Sequence, residues 1–518
     1  MTHEPRLLTR ALPAAVAALI FGLLAALGQA PWGLWFLAVP GYAGVVLVIA
    51  NARGGRAAFL WGWLAGLAHF ALCLSWIVEP FLVDAERHGW MAPFALIFMA
   101  GGLALFWGAA GSLAVAAISG HYARFWAIAV LMVAFDALRG YLFTGFPWAL
   151  SGHIWIGTPV DQIAALGGAL ALSALTLGLA AGLATAWARI RAGRLVRAAV
   201  VTGVVCSGLA LSWGWGQYRL AQPVPLYDGV QVRLVQGNVL QHLKWQPDLV
   251  QGFFQRHLDL SQSPANARPD LVIWPESAAP FLLENPGVGL EMMAEAAQVP
   301  VVFGVDRASR STTGERQYHN ALAAIDTQGQ VTAIYDKHHL VPFGEYIPVL
   351  GLFAEHWRGL AGTALSGYTA GPGPITLDLG DAGRVLPLIC YEAVFARSLH
   401  TAERPDWILQ VTNDAWFGTG IGPFQHLAQA RLRAIESGLP LVRAANTGVS
   451  AVIDARGRSV AELGLGEMGA LNAVIPQARP ATPYTRTGDL LWTLLLGAIT
   501  LWLAMRALRN RKRLTSAP

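Results

Sequence analysis

The stretch VLPLICYE, residues 385–392, decides the fold of the central part of the chain. It is an apolar run that ends in Cys390, Tyr391 and Glu392, a pattern typical of a buried strand that stops at a turn. A thiol at a strand end lies beside the following backbone N–H groups, which can stabilise a developing negative charge. An inert core cysteine is the alternative, so the other polar groups of the region must decide.

Two charged groups of the same polar block are further candidates. Glu276 follows residues 271–274 in LVIWPES, and Lys337 lies in YDKHHLVPFGEY, residues 335–346. Taken alone, Glu276 is typical of a helix N-cap or surface turn, and Lys337 of a solvated loop. Taken together with Cys390, they supply what acyl transfer through a thioester requires, because Glu276 could accept the thiol proton and Lys337 could lower the thiol pKa. Glu345 is a candidate for the carboxylate that keeps Lys337 protonated.

The composition excludes an ordinary soluble enzyme. The 518 residues are 55% hydrophobic and only 13% charged, and the mean hydropathy is +0.46. The formal net charge of +5 arises from short basic clusters beside apolar runs, which disfavours nucleic-acid binding. Cys73 and Cys206 lie within apolar runs, and Cys390 has no partner cysteine in the polar block. We therefore expect no disulfide there, no metal site and no cofactor.

Apolar stretches long enough to cross a bilayer of about 30 Å predict eight membrane spans. Basic residues cluster in alternate loops, so the positive-inside rule places both termini in the cytoplasm and the polar block on the opposite side. A cleaved signal peptide is the alternative for the first stretch, and a retained span is favoured. The spans are predicted at residues 11–29, 32–50, 57–79, 91–118, 124–143, 165–188, 197–216 and 489–507.

Three domains follow from this pattern. Residues 1–220 form a membrane domain of seven spans, and residues 486–518 form an eighth span with a basic cytoplasmic tail. Between them, residues 221–485 alternate β-rich runs with helical patterns, which indicates an α/β layered domain. Strands are predicted in VQVRLVQGN (230–238), DLVIWPES (270–277), VPVVFGVD (299–306), NALAAIDTQG (320–329), VLPLICYE (385–392), DWILQVTND (406–414), LPLVRAAN (439–446) and GVSAVIDARG (448–457).

At Glu276, Lys337 and Cys390 the chain resembles the nitrilase superfamily, whose Glu-Lys-Cys triad these residues match in order and context. The runs TNDAWFG (412–418), RAIES (433–437) and AANTGVS (444–450) are similar to that superfamily as well. Combined with eight spans, the resemblance narrows to the apolipoprotein N-acyltransferases, the membrane-integrated bacterial enzymes that complete lipoprotein maturation.

The resemblance implies a nitrilase-like four-layer αββα sandwich on the periplasmic side of the inner membrane, attached to a helical membrane bundle. It implies a phospholipid as acyl donor, diacylglyceryl-modified apolipoproteins as acceptors, and neither cofactor nor nucleic acid. Supporting or substrate-binding roles are implied for Trp245, Glu345, Tyr391, Glu392 and Trp416.

Two rival functions remain open from the sequence. A membrane-tethered amidase or nitrilase would use the same triad, although one span would suffice to tether it. A transporter or receptor would need more ionisable groups within its spans than Asp136 and Arg139. That pair is interpreted as structural, with lipid-headgroup binding as the alternative. The apolar runs 350–353 and 361–365 could form a lid or belong to the core.

Overall fold

A computed structural model describes residues 5–223, 226–264, 267–346 and 367–515. The contacts divide the chain into two compact units. The first comprises Met1–Gln222 and Thr482–Pro518, and the second comprises Pro223–Ala481. The two runs considered as a lid, residues 350–353 and 361–365, lie outside the described residues.

The first unit is helical because its long apolar runs suit a membrane, where a helix satisfies all backbone hydrogen bonds within its own segment. The apolar side chains of Leu195–Ala221 are almost all exposed within this unit, which suits a helix surrounded by lipid rather than water. The long helices are Pro5–Ala26, Trp35–Ala50, Gly55–Cys73, Ala92–Ala117, His121–Arg139, Ala164–Arg191, Leu195–Ala221 and Leu490–Thr515.

Six of the eight predicted spans coincide with helices that are long and apolar enough to cross a membrane. The first two coincide with shorter apolar segments, Leu12–Ala26 and Trp35–Ala50, so the count of eight is not confirmed. At about 1.5 Å per residue, the 16 residues of the second segment extend about 24 Å. The helix begins at Trp35, later than predicted, because residues 27–34 form turns around Gly28, Pro31 and Gly33.

Small residues let these helices approach closely, as is common in membrane bundles. A side chain at Gly62 would lie 2.6 Å from the backbone oxygen of Trp107. The helix Ala164–Arg191 is interrupted at Gly168, whose φ of +66° is unfavourable for residues with a Cβ. A Cβ there would lie 2.4 Å from the ring of Tyr484, so the glycine permits both the bend and the contact.

Asp136 and Arg139 form a fully buried ion pair on the helix His121–Arg139, with Nε 3.2 Å from Oδ1. Arg139 also donates to the backbone oxygens of Phe146, Trp148 and Ala149 at 2.6–3.0 Å. Asp136 in turn accepts from the backbone and hydroxyl of Ser151. The pair therefore fixes the TGFPW loop onto the helix, which supports the structural interpretation over lipid-headgroup binding.

We predict that Asp136→Ala destabilises the protein by about 3–5 kcal/mol, because Arg139 would stay buried without its counter-charge. Denaturant titration in detergent micelles measures this loss. Glu86→Gln is the matched control, since it removes an exposed carboxylate and should change stability by less than about 0.5 kcal/mol. Equal stability of the two variants would contradict a structural role for the pair.

The second unit is an α/β sandwich of two mixed six-stranded sheets. The first sheet has the order β12-β1-β2-β3-β4-β5 and the second the order β11-β10-β9-β8-β7-β6. The strands are β1 (Leu226–Gln236), β2 (Leu271–Ile273), β3 (Val301–Arg310), β4 (Arg316–Ile325), β5 (Val331–Asp336), β6 (Leu377–Asp378), β7 (Arg384–Ile389), β8 (Trp407–Thr412), β9 (Leu441–Ala445), β10 (Ser450–Ile453), β11 (Ser459–Leu463) and β12 (Gly469–Pro476).

Helices Pro247–Ser261 and Gly289–Ala297 pack on the first sheet around Trp274, Met293 and Phe303. Helix Ile421–Ser437 packs on the second sheet through Ala430 and Ala434. The sheets also contact each other, β1 against β9 and β12 against β10. This is the four-layer αββα sandwich that the resemblance implies.

All eight predicted strands are present, but four others were missed. β5, β6, β11 and β12 carry exposed or half-exposed residues, so they lack the apolar runs of buried strands. Their strand geometry comes from pairing at the sheet edges rather than from local pattern. The helix Gly289–Ala297 has only nine residues, which give too few turns for a clear periodicity in the sequence.

Candidate active site

Three strand ends carry the predicted triad. Glu276 follows β2, Lys337 directly follows β5, and Cys390 directly follows β7. The first two strands belong to one sheet and the third to the other. The two sheets therefore supply different parts of the site, and all three side chains are buried.

Glu276 is held by donors from both sheets. Its Oε1 accepts from the Asn320 amide at 2.7 Å, and its Oε2 accepts from the Asn413 backbone N–H at 2.8 Å. Lys337 Nζ lies 3.5 Å from Oε1. A carboxylate with these partners and only 6% exposure is neither a helix N-cap nor part of a surface turn.

Lys337 is only 1% exposed and lies between two carboxylates. Its Nζ donates to Glu345 Oε1 at 2.8 Å, in addition to its contact with Glu276. Burial opposes the positive charge, but Glu345 and Glu276 outweigh burial and raise the pKa of the Lys337 ammonium above its usual range. Lys337 is therefore a permanent cation, and Glu345 occupies the place expected of its supporting carboxylate.

Asn320 connects these two carboxylates. Its Nδ2 donates to Glu276 Oε1 at 2.7 Å and to Glu345 Oε1 at 2.9 Å. Glu345 Oε2 accepts from the Val341 backbone at 2.7 Å. Two acids separated in sequence are thus oriented toward one lysine by a single amide on β4.

Cys390 has a φ of +51°, which is sparsely populated for a residue with a Cβ. A sharp turn of this kind directs a nucleophile away from the strand that precedes it. The carbonyl oxygen of Cys390 accepts from Gln410 Nε2 at 3.2 Å and from His426 Nε2 at 3.1 Å. These two donors hold the strained backbone in place.

Burial and the nearby charge of Glu276 raise the pKa of the Cys390 thiol. Lys337 lowers that pKa, as predicted, but does not outweigh the other two effects. The resting site therefore contains a neutral thiol and the Lys337 ammonium. A neutral thiol needs a base before it can attack, and Glu276 is the carboxylate whose charge acts most strongly on it, ahead of Asp414.

A second buried polar network contacts the backbone of Cys390. His426 Nδ1 lies 2.9 Å from Asp414 Oδ1, and Arg443 forms an ion pair with Oδ2 of the same carboxylate. Burial would raise the pKa of Asp414, but Arg443 and His426 outweigh burial and hold it below the usual range. Thr412 donates its hydroxyl proton to Asp414 at 2.9 Å. The network fixes His426, which in turn fixes the backbone of Cys390.

Glu392, predicted as a supporting residue, is fully buried. It accepts from the Tyr335 hydroxyl at 2.9 Å and from the backbone N–H groups of His338 and Ile389 at 2.8 and 2.7 Å. These contacts tie the loop after β5 to the end of β7. Glu392 therefore holds the loops that carry Lys337 and Cys390 at a fixed separation.

The three predicted aromatic residues occupy different positions. Tyr391 is buried, and its ring packs at 4.9 Å from that of Phe395. Trp245 is 50% exposed and lines a cavity with Glu276, while the Lys244 ammonium lies 5.4 Å from its ring centre. Trp416 is 39% exposed in the turn after β8. Tyr391 thus belongs to the support of the nucleophile, whereas the two tryptophans present surface to solvent.

Known proteins match both units of the chain. A carbon-nitrogen hydrolase family model matches residues 231–482, and a model of the apolipoprotein N-acyltransferase N-terminal domain matches residues 21–182. The apolipoprotein N-acyltransferase of Caulobacter vibrioides is 40% identical over 92% of each chain, and that of Rhodopseudomonas palustris is 36% identical over 95% of each. The chain belongs to the apolipoprotein N-acyltransferase family.

A solved amidase from Nesterenkonia sp. is 18% identical to this apolipoprotein N-acyltransferase family member, with a TM-score of 0.35. The match covers 48% of this chain and 92% of the amidase.

Several residues of this site were not found from the sequence of this family member. Asn320 and Asp306 lie on apolar strands, where a single polar residue gives no local signal. Lys244 is next to the predicted Trp245 and is 8% exposed. It donates to the backbone oxygen of Glu276 at 3.2 Å, and burial lowers its pKa to about 8.

We predict that alkylation of Cys390 by iodoacetamide accelerates with pH to beyond about pH 9, because the thiol pKa is raised above the ordinary value of about 8.5. In Glu276→Gln the curve should move to lower pH, since the negative charge that raises the thiol pKa is removed. Peptide mass spectrometry of Cys390 against pH measures both curves. A wild-type plateau near neutral pH would mean a pre-formed thiolate and contradict this account.

Proposed function

We propose that this member of the apolipoprotein N-acyltransferase family transfers a fatty acyl chain from a phospholipid to an apolipoprotein. The acceptor is the α-amine of the N-terminal diacylglyceryl-cysteine, and Cys390 carries the acyl chain as a thioester. One observation carries the proposal. Glu276, Lys337 and Cys390 are all buried at strand ends, and Lys337 lies 3.5 Å from Glu276 and 2.8 Å from Glu345.

In the first half-reaction Glu276 accepts the thiol proton as the Cys390 sulfur attacks an ester carbonyl of the phospholipid. The carbonyl oxygen becomes an oxyanion, which Lys337 and the Tyr391 backbone N–H stabilise. The bond to the glycerol oxygen then breaks, and Glu276 returns the proton to that oxygen. Lysophospholipid leaves, and the acyl chain remains on sulfur.

In the second half-reaction the α-amine of the acceptor attacks the thioester carbonyl. Glu276 accepts a proton from the attacking nitrogen and passes it to the departing sulfur, so that an amide and a free thiol result. Lys337 is positioned to stabilise the second oxyanion as it did the first. A fixed cation serves both steps without reorganisation, which is the most effective form of electrostatic catalysis.

Water competes with the amine for the thioester, so the site must exclude it. The exposed rings of Trp245 and Trp416 are suited to contact acyl chains, which would displace water from the entrance. We assign these two residues to substrate binding. Their contribution is expected in the affinity for the lipid donor rather than in proton transfer.

We predict that incubation with a phospholipid gives wild-type protein a mass increase equal to one fatty acyl chain, located on Cys390. Cys390→Ser and Cys390→Ala should carry no thioester. Glu276→Gln should acylate about 10²–10⁴-fold more slowly, the usual contribution of a general base. Mass spectrometry before and after hydroxylamine treatment detects the adduct, because hydroxylamine cleaves thioesters.

Acylation by a soluble amide but not by phospholipid would support the rival amidase function. Retention of biological activity in Cys390→Ala would support a binding or transport role instead. Both outcomes would overturn the proposed acyltransferase. Glu86→Gln serves as the control for handling and folding, because it lies in the other unit at an exposed position.

We also propose that both termini lie in the cytoplasm and that the catalytic unit lies in the periplasm. In a Cys206→Ser background, Thr312→Cys on the β3–β4 hairpin should react with an impermeant maleimide in spheroplasts. Ala192→Cys, in the basic loop after the helix Ala164–Arg191, should react only after the membrane is disrupted. Both positions are exposed, so the reverse pattern would contradict this orientation.

A further inference from the structure

The reacting amine of the acceptor presents a problem that Glu276 alone does not solve. An α-amino group has a pKa near 7.7–8.0, so the acceptor arrives largely as an ammonium. It must lose one proton before it attacks and a second one after it attacks. Glu276 can hold one proton at a time, which leaves the first proton without an assigned acceptor.

A carboxylate with no assigned role lies beside the triad. Asp306 on β3 is directly opposite Asn320 on β4, and residues that pair in this way place their side chains on the same face of a sheet. Asn320 donates to Glu276 and Glu345 from that face. The charges of Glu276, Glu345 and Lys244 all act on Asp306.

Asp306 is incompletely satisfied by protein donors. The Tyr368 hydroxyl donates to its Oδ1 at 2.9 Å, and within the described residues no ion pair neutralises it. The backbone N–H of Tyr368 donates to the Glu345 oxygen at 2.8 Å, which holds this donor next to the catalytic acids. Burial raises the pKa of Asp306, which makes its carboxylate a better proton acceptor than a solvated one.

The side-chain oxygen of Asn320 is a second hydrogen-bond acceptor beside the triad, and it lacks a donor among the described residues. Asn320 is only 4% exposed, and its amide nitrogen is occupied by the two glutamates. Its carbonyl oxygen accepts no hydrogen bond from the part of the chain that the structure describes. A buried polar atom of this kind is unusual and calls for a donor from outside the protein.

The balance of charge also favours a cation. Glu276, Glu345 and Asp306 supply three negative charges when ionised, whereas Lys337 and Lys244 supply two positive charges. The cluster therefore carries one uncompensated negative charge. This negative charge does not attract the neutral ester group of a phospholipid, but it attracts an ammonium.

Resting on the proposed function, we propose that Asp306, held by Tyr368 and placed opposite Asn320, binds the α-ammonium of the acceptor. Asp306 accepts the first proton from the ammonium nitrogen and releases it to water. The free amine then forms the N–C bond with the thioester carbon, and Glu276 accepts the second proton and gives it to the departing Cys390 sulfur. The net release is one proton for each amide formed.

The test separates the two half-reactions of the full-length enzyme. Asp306→Asn should form the thioester from phospholipid at a rate within about twofold of wild type. Its kcat/KM for a synthetic diacylglyceryl-cysteine peptide with a free amine should fall about tenfold or more, because a hydrogen bond to a charged group is worth about 1.5–3 kcal/mol. Release of the acyl chain by hydroxylamine, which is largely uncharged at neutral pH, should be unchanged.

Two further variants sharpen the result. Tyr368→Phe keeps the charge of Asp306 but removes its donor, so the same selective defect should appear with a smaller size. Glu315→Gln, at an exposed position on the β3–β4 hairpin, should match wild type in all three assays.

Normal peptide transfer by Asp306→Asn would overturn the inference. An equal loss in thioester formation, peptide transfer and hydroxylamine release would also overturn it, because that pattern indicates a general structural defect. If wild type itself forms no thioester from phospholipid, the proposed function fails first, and the ammonium site fails with it.

Discussion

The whole catalytic unit depends on one buried ammonium. Removing a lysine from water costs several kcal/mol unless close counter-charges compensate it. Lys337 meets this requirement with Glu345 at 2.8 Å and Glu276 at 3.5 Å. The same contacts hold the Glu276 side chain in place and bring the loops after β2 and β5 together. Stability and reactivity therefore share one interaction, and the site cannot lose its cation without losing its geometry.

The neutral state of Cys390 follows from this arrangement. A lysine in isolation would favour the thiolate, but here Lys337 is already compensated by two carboxylates, so burial and Glu276 dominate at the sulfur. A thiol in this state is a poor nucleophile toward water-borne electrophiles and is protected from oxidation, which requires the thiolate. In the proposed mechanism, attack requires that a bound ester and Glu276 act on this thiol together. His426 and Gln410 hold the strained φ of Cys390, and this backbone angle fixes the direction of the Cys390 side chain.

The sequence predicted those features that a local pattern determines. Composition predicted the helices of the first unit. The ends of two apolar runs made Glu276 and Cys390 candidates, and Lys337 was the third candidate because it lies in a dense polar run. The sequence did not predict Asn320 or Asp306, because their importance comes from the pairing of β3 with β4 rather than from their neighbours in the chain. The edge strands β6 and β11 were missed for the same reason. Turns around Gly33 shortened a predicted span, which an average over hydropathy cannot detect.

A ping-pong enzyme must use one set of catalytic groups for two substrates of different charge. The oxyanion formed in each half-reaction has the same position and charge, so a fixed lysine serves both. The nucleophile of the second half is different, because it arrives as a cation and must be deprotonated at the site. Groups that recognise the donor ester cannot supply this deprotonation, because an ester carries no charge at its reacting carbon. Under the proposed function, the excess of carboxylates over ammoniums around Glu276 serves acceptor selection, and it would also disfavour attack by hydroxide, which the same negative charge repels.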